Sequence, residues 1–455
     1  MRLSVGFVSL GCSKNLVDTQ LMAGFLKRDD ITLAHSPEEA DIILVNTCAF
    51  IQDAREEAAD AILAACEQKR AGGCRAVIVA GCMVQRYREK LAKAFPDVDA
   101  FLGVDNLESV SEIVQKLEQG KRPKRVQAGS EKPAKIYNPA YPTLLFTGGP
   151  FAYLKISEGC DHRCAFCAIP GIRGPFRSRP EADLLREAKA MIGAGVKEIN
   201  LIAQDVLRYG RDFAPDRKPR IASLLRKLDK LDGDFQLRLL YGYPSAVTDE
   251  ILELLATSKH LCRYLDVPVQ HCNPSVLKAM GRADAIDATL GFAERLRKAV
   301  PGITLRTTCL VGFPGETDAA FAELLDYVKV SRFDHLGTFV YSPEEGTRAL
   351  LLPDVPDLEI AEARRDALMA AQQKIGRERA RSLVGQRDRA LLLRAPAKKG
   401  GAWTARLPRQ APDVDGETRV KNVPADAKAG DFLPVKITGA RGYDLLAEAI
   451  CQKGE

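Results

Sequence analysis

Apolar and polar positions form regular blocks over the first 117 residues. Three apolar runs are continuous, which is typical of strands buried on both faces of a parallel sheet; they read LSVGFVSLG, ADIILVNT and RAVIVAG. Between them, DTQLMAGFLKR and DAREEAADAILAACEQKR have helical spacing. The second helix carries acids early and bases late, which suits the helix dipole. The pattern predicts an α/β domain over residues 1–117.

The same alternation returns after a stretch rich in Pro, Gly and Lys, residues 118–150, which we interpret as a linker. Six further strands are predicted: FAYLKIS, EINLIAQ, FQLRLLYG, RYLDVPVQ, ITLRTTCLVG and HLGTFVYS. Helices such as TDEILELLA and TDAAFAELLDYVKV lie between them, each opened by a Thr-Asp cap. Residues 151–377 are therefore expected to form an open or partial (β/α)6 barrel, with its active site at the carboxyl ends of the strands.

Short apolar runs broken by Gly and Pro predict a small antiparallel β-barrel over residues 378–447. Charge is concentrated in the same region. Residues 376–455 contain 16 Lys and Arg against 10 Asp and Glu, which equals the net charge of +6 of the whole chain. This excess favours an anionic partner at the C-terminal domain. The alternative is a solvated basic surface without a partner.

Composition indicates a soluble globular protein, with 46% apolar and 28% charged residues. Apolar runs such as AVIVAGCMV are far shorter than the roughly 18 residues that a membrane span needs. The N-terminal MRLSVGFVSLGC is interpreted as a first strand rather than a secretion signal. The expected compartment is the reducing cytoplasm, where the twelve Cys are metal ligands or free thiols rather than disulfides.

Three cysteines stand within eight positions in SEGCDHRCAFCAIPGIRG: Cys160, Cys164 and Cys167. They follow the strand FAYLKIS directly, at the predicted mouth of the barrel. Thiolates select zinc, Cu(I) or iron–sulfur clusters. Structural zinc needs a fourth ligand, and His162 is too cramped between Cys160 and Cys164 to supply it. Three ligands suit a cluster that keeps one iron open.

A second triplet lies at the ends of the first three strands, at intervals of 36 and 34 residues: Cys12, Cys48 and Cys82. Parallel strands end at one edge of a sheet, so these thiols can converge and hold a second open cluster. The alternative is that they are buried thiols acting as small apolar side chains. That interpretation fits the remaining cysteines: Cys66, Cys74, Cys262, Cys272, Cys309 and Cys451.

The spacing C-x-x-x-C-x-x-C, with Phe166 just before the last Cys, resembles the radical S-adenosylmethionine (SAM) superfamily. The resemblance implies that the open iron of this cluster binds SAM. An electron from the cluster then cleaves SAM to a deoxyadenosyl radical. Cys160, Cys164 and Cys167 would hold that catalytic cluster, and Phe166 would lie at the cofactor.

The whole chain resembles the methylthiotransferase family, which joins such a core to an N-terminal cluster domain and a C-terminal TRAM barrel. One branch modifies an adenosine of transfer RNA, and the other an aspartate of ribosomal protein S-twelve. Five segments resemble the protein branch: SLGCSKNLVDTQ, NTCAFIQDAREEA, LIAQDVLRYG, ISEGCDHRCAFCAIPGIRG and RQAPDVDG. Ser13 and Gln410 depart mildly from its usual pattern.

The resemblance implies two 4Fe–4S clusters, with SAM near Gln204, Asp205, Gln270 and Arg306. The cluster at the strand-end triplet would supply sulfur to the β-carbon of the aspartate, whose C–H bond is beyond acid–base catalysis. A second SAM molecule would supply the methyl group. The turn VGFPGET, residues 311–317, is either a cofactor contact or a plain turn.

Expected partners are ribosomal protein S-twelve, within the small ribosomal subunit, and an electron donor, with no membrane. Ribosomal RNA would contact the basic C-terminal domain. Because S-twelve itself is expected to be basic, Asp413, Asp415 and Glu417 are candidates for touching it. Methylthiolation of transfer RNA is the alternative within the family. A non-catalytic iron–sulfur protein that binds RNA or the ribosome is the alternative of another class, and it predicts closed four-ligand sites.

Overall fold

The computed structural model describes residues 3–136, 149–398 and 400–450. Residues 137–148 of the predicted linker and Cys451 lie outside this range. The chain divides into two compact units. Unit 1 comprises residues 1–146, 155–183 and 342–350, and unit 2 comprises residues 147–154, 184–341 and 351–455. The boundaries expected at 117, 150 and 377 stay predictions.

The first segment alternates strands and helices, in the order β1 (Ser4–Ser9), α1 (Ser13–Arg28), β2 (Thr32–Leu33), β3 (Ile42–Thr47), α2 (Gln52–Arg70), β4 (Ala76–Gly81), α3 (Cys82–Tyr87), α4 (Glu89–Ala94), β5 (Ala100–Leu102), α5 (Val110–Glu118) and β6 (Val126–Gln127). The strands form one parallel sheet in the order β2-β1-β3-β4-β5-β6. All residues of β3 and β4 are buried, as continuous apolar runs predict. The three expected strands and two expected helices are confirmed.

The central segment continues with β7 (Phe151–Lys155), β8 (Ser157–Glu158), α6 (Ile169–Arg173), β9 (Arg177–Ser178), α7 (Glu181–Gly193), β10 (Glu198–Ile202), α8 (Ile221–Asp229), β11 (Gln236–Leu239), α9 (Asp249–Thr257), β12 (Leu261–Asp266), α10 (Pro274–Ala279), α11 (Ile286–Thr289), α12 (Phe292–Ala299), β13 (Thr304–Val311), α13 (Asp318–Ser331) and β14 (His335–Val340). Six of these strands form a sheet in the order β14-β13-β12-β11-β10-β7. Strands β10 to β14 pair in parallel. Each of the six predicted barrel strands is present.

Two threonines cap helices as predicted. The hydroxyl of Thr248 accepts a hydrogen bond from the Ile251 amide at 3.4 Å, and that of Thr317 accepts one from Ala320 at 3.2 Å. Each hydroxyl satisfies a backbone donor that the first helical turn leaves without a partner.

The C-terminal segment begins with a helix that the sequence analysis did not identify, α14 (Leu358–Ser382). Five strands follow: β15 (Arg387–Arg394), β16 (Trp403–Arg406), β17 (Thr418–Lys421), β18 (Phe432–Arg441) and β19 (Asp444–Ala449). They close into a barrel, β15-β16-β17-β19-β18. One pairing, β17 with β19, is parallel where an antiparallel barrel was predicted. In the described ranges no helix has the length and apolarity that crossing a bilayer requires.

Candidate active site

Three predicted ligand cysteines follow neighbouring strands of the unit 1 sheet. Cys12 lies between β1 and α1, Cys48 follows β3, and Cys82 is the first residue of α3 after β4. Strands β1, β3 and β4 are adjacent and parallel. Their carboxyl ends therefore share one edge of the sheet, where all three cysteines lie.

The loops that carry these cysteines are in close contact. A Cβ added to Gly11 would lie 2.8 Å from the Cys48 Cβ and 3.2 Å from its Sγ. Gly11 has a φ of +87°, which a side chain would also disfavour. The side-chain amide of Asn15 donates to the Leu10 carbonyl at 3.1 Å and to the Thr47 carbonyl at 2.9 Å. Glycine at position 11 thus allows the first loop to pack directly on the Cys48 thiol.

The three thiols influence one another electrostatically. Burial raises the pKa of Cys48, and the neighbouring Cys12 raises it further. Burial also raises the pKa of Cys82 to about 12, with added contributions from Cys48 and Cys12. The raised pKa values keep Cys48 and Cys82 protonated in the absence of a cation, and a bound metal cation would favour loss of their protons. This donor set suits a thiophilic metal centre.

Arg173, at the end of α6, lies against the same thiols and was missed by the sequence analysis. Its Nε is 3.3 Å and its Nη2 is 3.1 Å from the Cys82 sulfur. Nη2 also donates to Asn15 Oδ1 at 2.5 Å. Arg173 is 2% exposed. The sequence signal was an arginine six residues after Cys167, which on sequence grounds could equally have been a surface residue.

A buried network of charges holds the Arg173 guanidinium in place. Arg173 Nη1 is 2.7 Å from Asp18 and 3.3 Å from Glu158, and Lys155 Nζ is 2.6 Å and 2.9 Å from the same two carboxylates. Burial alone would lower the pKa of Arg173, but Asp18, Cys82 and Glu158 together outweigh it and hold the pKa well above its usual value. Likewise, Lys155 keeps the pKa of Glu158 low against the effect of burial. Two basic and two acidic side chains are therefore paired inside unit 1.

The loop of Cys160, Cys164 and Cys167 is framed by β8 and β9, which pair with each other. The Cys160 amide donates to the Gly174 carbonyl at 3.1 Å, the Cys167 amide to the Cys164 carbonyl at 3.2 Å, and the His162 amide to the Cys160 sulfur at 3.4 Å. All three cysteines are partly accessible, and Phe166 is half-buried. Their accessibility suits a cluster that must meet a small-molecule cofactor.

Residues 342–350, which we call the strap, contact the Cys160–Cys167 loop directly and the surroundings of Cys48 through Arg86. The Ala349 amide donates to the carbonyl of Ala165, which lies between Cys164 and Cys167, at 2.9 Å. The buried carboxylate of Glu344 pairs with Arg86 at 2.8 Å and with Arg55. Arg86 also donates to the carbonyl of Ala49, next to Cys48, at 2.8 Å. One short segment thus supports the surroundings of both triplets.

The candidate SAM contacts of unit 2 lie at different positions along the strands of its sheet. Gln204 and Asp205 follow β10, and the buried Asp205 carboxylate accepts from the Leu207 amide at 3.1 Å. Gln270 bridges to Cys309 beyond the end of β12 and has a φ of +68°. Such a backbone is costly for a residue with a side chain and is often found at functional sites. Arg306 lies three residues before Cys309, so about 10 Å nearer the start of the strand.

The acidic segment of the barrel domain is used within unit 2, which corrects the expectation for Asp415. Asp415 is bonded to Arg306 at 2.7 Å, to the Tyr264 hydroxyl at 2.7 Å and to His335 at 3.2 Å. Its side chain is fully buried, so it is not exposed for a protein substrate to contact. Asp413 accepts from the Tyr153 hydroxyl at 2.8 Å. Sequence alone could not show that these acids face the sheet.

The turn VGFPGET is built by one of its own residues. The buried Glu316 carboxylate accepts from the amides of Gly312 and Phe313, the latter at 3.2 Å. These bonds account for the turn without a ligand.

Most of the cysteines assigned as plain thiols are buried: Cys66, Cys74, Cys262, Cys272 and Cys309. Across the described residues, no three Cys, His, Asp or Glu side chains stand in the geometry of a bound metal ion. The ligand roles of the two triplets therefore belong to the proposal below.

Three family models match the chain, and together they define its class. Residues 4–103 match the Uncharacterized protein family UPF0004, residues 154–328 the Radical SAM superfamily, and residues 384–450 the TRAM domain. A structure of the radical SAM methyltransferase TsrM from Kitasatospora setae has the same general fold, with a TM-score of 0.56 at 14% identity over 89% of this chain and 78% of that one. The class is that of radical SAM enzymes, which use an iron–sulfur cluster and SAM.

Full-length relatives define the family within this class. The chain is 43% identical to "Ribosomal protein uS12 methylthiotransferase RimO" of Syntrophus aciditrophicus over 98% of each sequence. It is also 43% identical to the protein of that name in Symbiobacterium thermophilum, over 98% of this chain and 91% of the relative. The chain belongs to the family of ribosomal protein uS12 methylthiotransferases.

Proposed function

We propose that this chain transfers a methylthio group to the β-carbon of an aspartate in ribosomal protein uS12, by radical SAM chemistry. The full-length similarity to uS12 methylthiotransferases carries this proposal. The presence of two cysteine triplets supports it, because the reaction needs both a radical source and a sulfur source.

Two 4Fe–4S clusters are proposed, one held by Cys160, Cys164 and Cys167 and the other by Cys12, Cys48 and Cys82. The first supplies the electron that cleaves SAM, and the second supplies the sulfur. Two observations support the fit of the second site. The donor set is three thiols at one sheet edge, and the closest approach of their loops requires glycine at position 11.

The surrounding residues position these groups. Phe166, Gln204, Asp205 and Gln270 are proposed to contact SAM. A contact between Arg306 and SAM stays a prediction, and the Arg306 guanidinium is already paired with Asp415. In unit 1, the burial of Cys82 excludes water from one side of the sulfur site.

The partners follow from the reaction and the charge distribution. The substrate would be uS12 within the small ribosomal subunit. The enzyme would then act in the cytoplasm, and an electron donor would reduce its cluster. The TRAM match and the basic C-terminal segment support contact with ribosomal RNA.

The intact mass of uS12 from cells with and without this gene tests the function. We expect a methylthio addition that disappears with the gene and returns with a plasmid copy. A copy with Cys160, Cys164 and Cys167 changed to Ala should not restore it. Loss of a methylthiolated adenosine from transfer RNA, with uS12 unchanged, would instead support the alternative within the family.

A further inference from the structure

We propose that Arg173 is a positioning residue for the sulfur-supplying cluster. Its guanidinium would donate hydrogen bonds to the Cys82 sulfur, raise the reduction potential of that cluster and fix the orientation of its ligand. The inference rests on the proposed second cluster at Cys12, Cys48 and Cys82.

The geometry of the guanidinium supports a specific role. Two of its nitrogens, Nε and Nη2, approach the same sulfur at 3.3 Å and 3.1 Å. Arginine presents its N–H groups as a planar fork, so one orientation satisfies both contacts. The third nitrogen, Nη1, points to Asp18 at 2.7 Å. Each nitrogen of the side chain therefore has a defined partner.

The buried Arg173 cation is held in position by neighbouring carboxylates. An unpaired buried charge is unstable, and Arg173 has two carboxylates beside it, Asp18 and Glu158. Lys155 shares both carboxylates, so the charges of the network balance. Held on one side by carboxylates, the guanidinium can keep its fork on the sulfur through a change in the charge of that sulfur.

The chemistry of cluster ligation gives this fork a consequence. A thiolate that binds iron is an anion, and a hydrogen bond from a cation to an anion is stronger than a neutral one. Hydrogen bonds to cluster sulfurs are among the factors that set cluster reduction potentials. A cation beside the ligand stabilises the reduced, more negative state of the cluster. Loss of Arg173 should therefore lower the potential.

A redox titration followed by electron paramagnetic resonance tests this role in the full-length chain. The parent variant has Cys160, Cys164 and Cys167 changed to Ala, so that only the second cluster remains. Arg173→Gln in this parent should shift the midpoint potential to a more negative value. Arg364→Gln is the matched control, because Arg364 is also a buried arginine paired to a carboxylate, and it donates to Glu316 and Asp318 rather than to a sulfur.

The outcomes separate this inference from the proposed function. A parent variant without iron contradicts the second cluster itself. An Arg173→Gln variant with normal iron and an unchanged potential overturns the role of Arg173, as does an equal shift in Arg364→Gln. If Arg173→Gln does not fold, Arg173→Lys decides, since it keeps the charge and loses the fork. It should give a smaller shift in the same direction, and an unchanged potential with Lys contradicts the proposal.

Discussion

Arg306 donates to the carboxylate of Asp415 across 2.7 Å, and this ion pair joins the central sheet of unit 2 to the segment that leads into β17. Tyr264 and His335 contact the same carboxylate from β12 and β14. The barrel domain is thus attached to its neighbouring sheet by buried polar contacts.

Replacing Asp415 with Asn should weaken this attachment. The change removes the nearer carboxylate from Arg306, whose other partner Asp266 lies 3.9 Å away. Removing one partner of a buried pair costs about 3–5 kcal/mol of unfolding free energy. Urea unfolding of the full chain measures the loss. Glu378→Gln is the control, because its pair with Arg332 is exposed and should contribute little to stability. Equal effects in the two variants would contradict the assignment.

Glu198 gives a second stability prediction. Its fully buried carboxylate pairs with Arg238 at 3.2 Å and with Arg406 at 2.8 Å. Glu198→Gln leaves two buried cations together, so we expect a loss of about 3–5 kcal/mol or a chain that does not fold. Glu250→Gln breaks an exposed pair with Arg226 and serves as the comparison. A Glu198→Gln chain as stable as that comparison would show that the triad contributes little.

His335 predicts how stability changes with pH. Burial lowers its pKa, although Asp415 and Asp334 oppose the effect and Arg306 adds to it. Below the unfolded value of about 6.5, the unfolded chain therefore binds more protons, so stability is lost as pH falls from 7 towards 5. The slope of unfolding free energy against pH in this window should decrease in His335→Asn. An unchanged slope would assign the titration to other groups.

The strap provides a prediction about local opening. Glu344→Gln leaves Arg86 and Arg55 without their shared carboxylate, which should loosen residues 342–350. Hydrogen exchange at the Ala349 amide, which is bonded to Ala165, should accelerate by about tenfold or more, corresponding to about 1.4 kcal/mol. Glu345→Gln is the adjacent control, since Glu345 pairs with Lys90 in solvent. Similar exchange in both variants would contradict a structural role for Glu344.

Iron content tests the two triplets separately. Changing Cys12, Cys48 and Cys82 to Ala should remove about half of the iron of the anaerobically reconstituted chain and leave SAM cleavage uncoupled from sulfur transfer. Changing Cys66 and Cys74, which are buried away from the strand ends, should leave iron unchanged. Full iron in the first variant would return those cysteines to the role of buried thiols.

The sequence predicted features that depend on local pattern. Continuous apolar runs identified β3 and β4, and Thr-Asp pairs identified the starts of α9 and α13. Parallel pairing of adjacent strands then predicted that Cys12, Cys48 and Cys82 would share an edge.

Features that depend on distant pairs were missed. Asp18 and Arg173 are 155 positions apart, and neither residue has a local pattern that points to the other. Asp415 was a candidate for contacting the protein substrate. Its actual partners, Tyr264 and Arg306, lie more than 100 positions earlier, so no local pattern pointed to them. Helix α14 was missed because its sequence is rich in Arg and Glu and its apolar face is weak. The parallel pairing of β17 and β19 depends on barrel closure rather than on local turns.

The charge network of unit 1 has a consequence for the order in which a growing chain can fold. Asp18 leaves the ribosome 155 residues before Arg173, a delay of about 8–30 s at 5–20 residues per second. Lys155, the other cationic partner, follows Asp18 by 137 residues. Until then the carboxylate has neither partner, and closing the helix over it would bury an uncompensated charge. Arg86 waits longer still, because Glu344 follows 258 residues later. The charge pairs around Asp18 and Arg86 are therefore complete only after residue 344 has been synthesised.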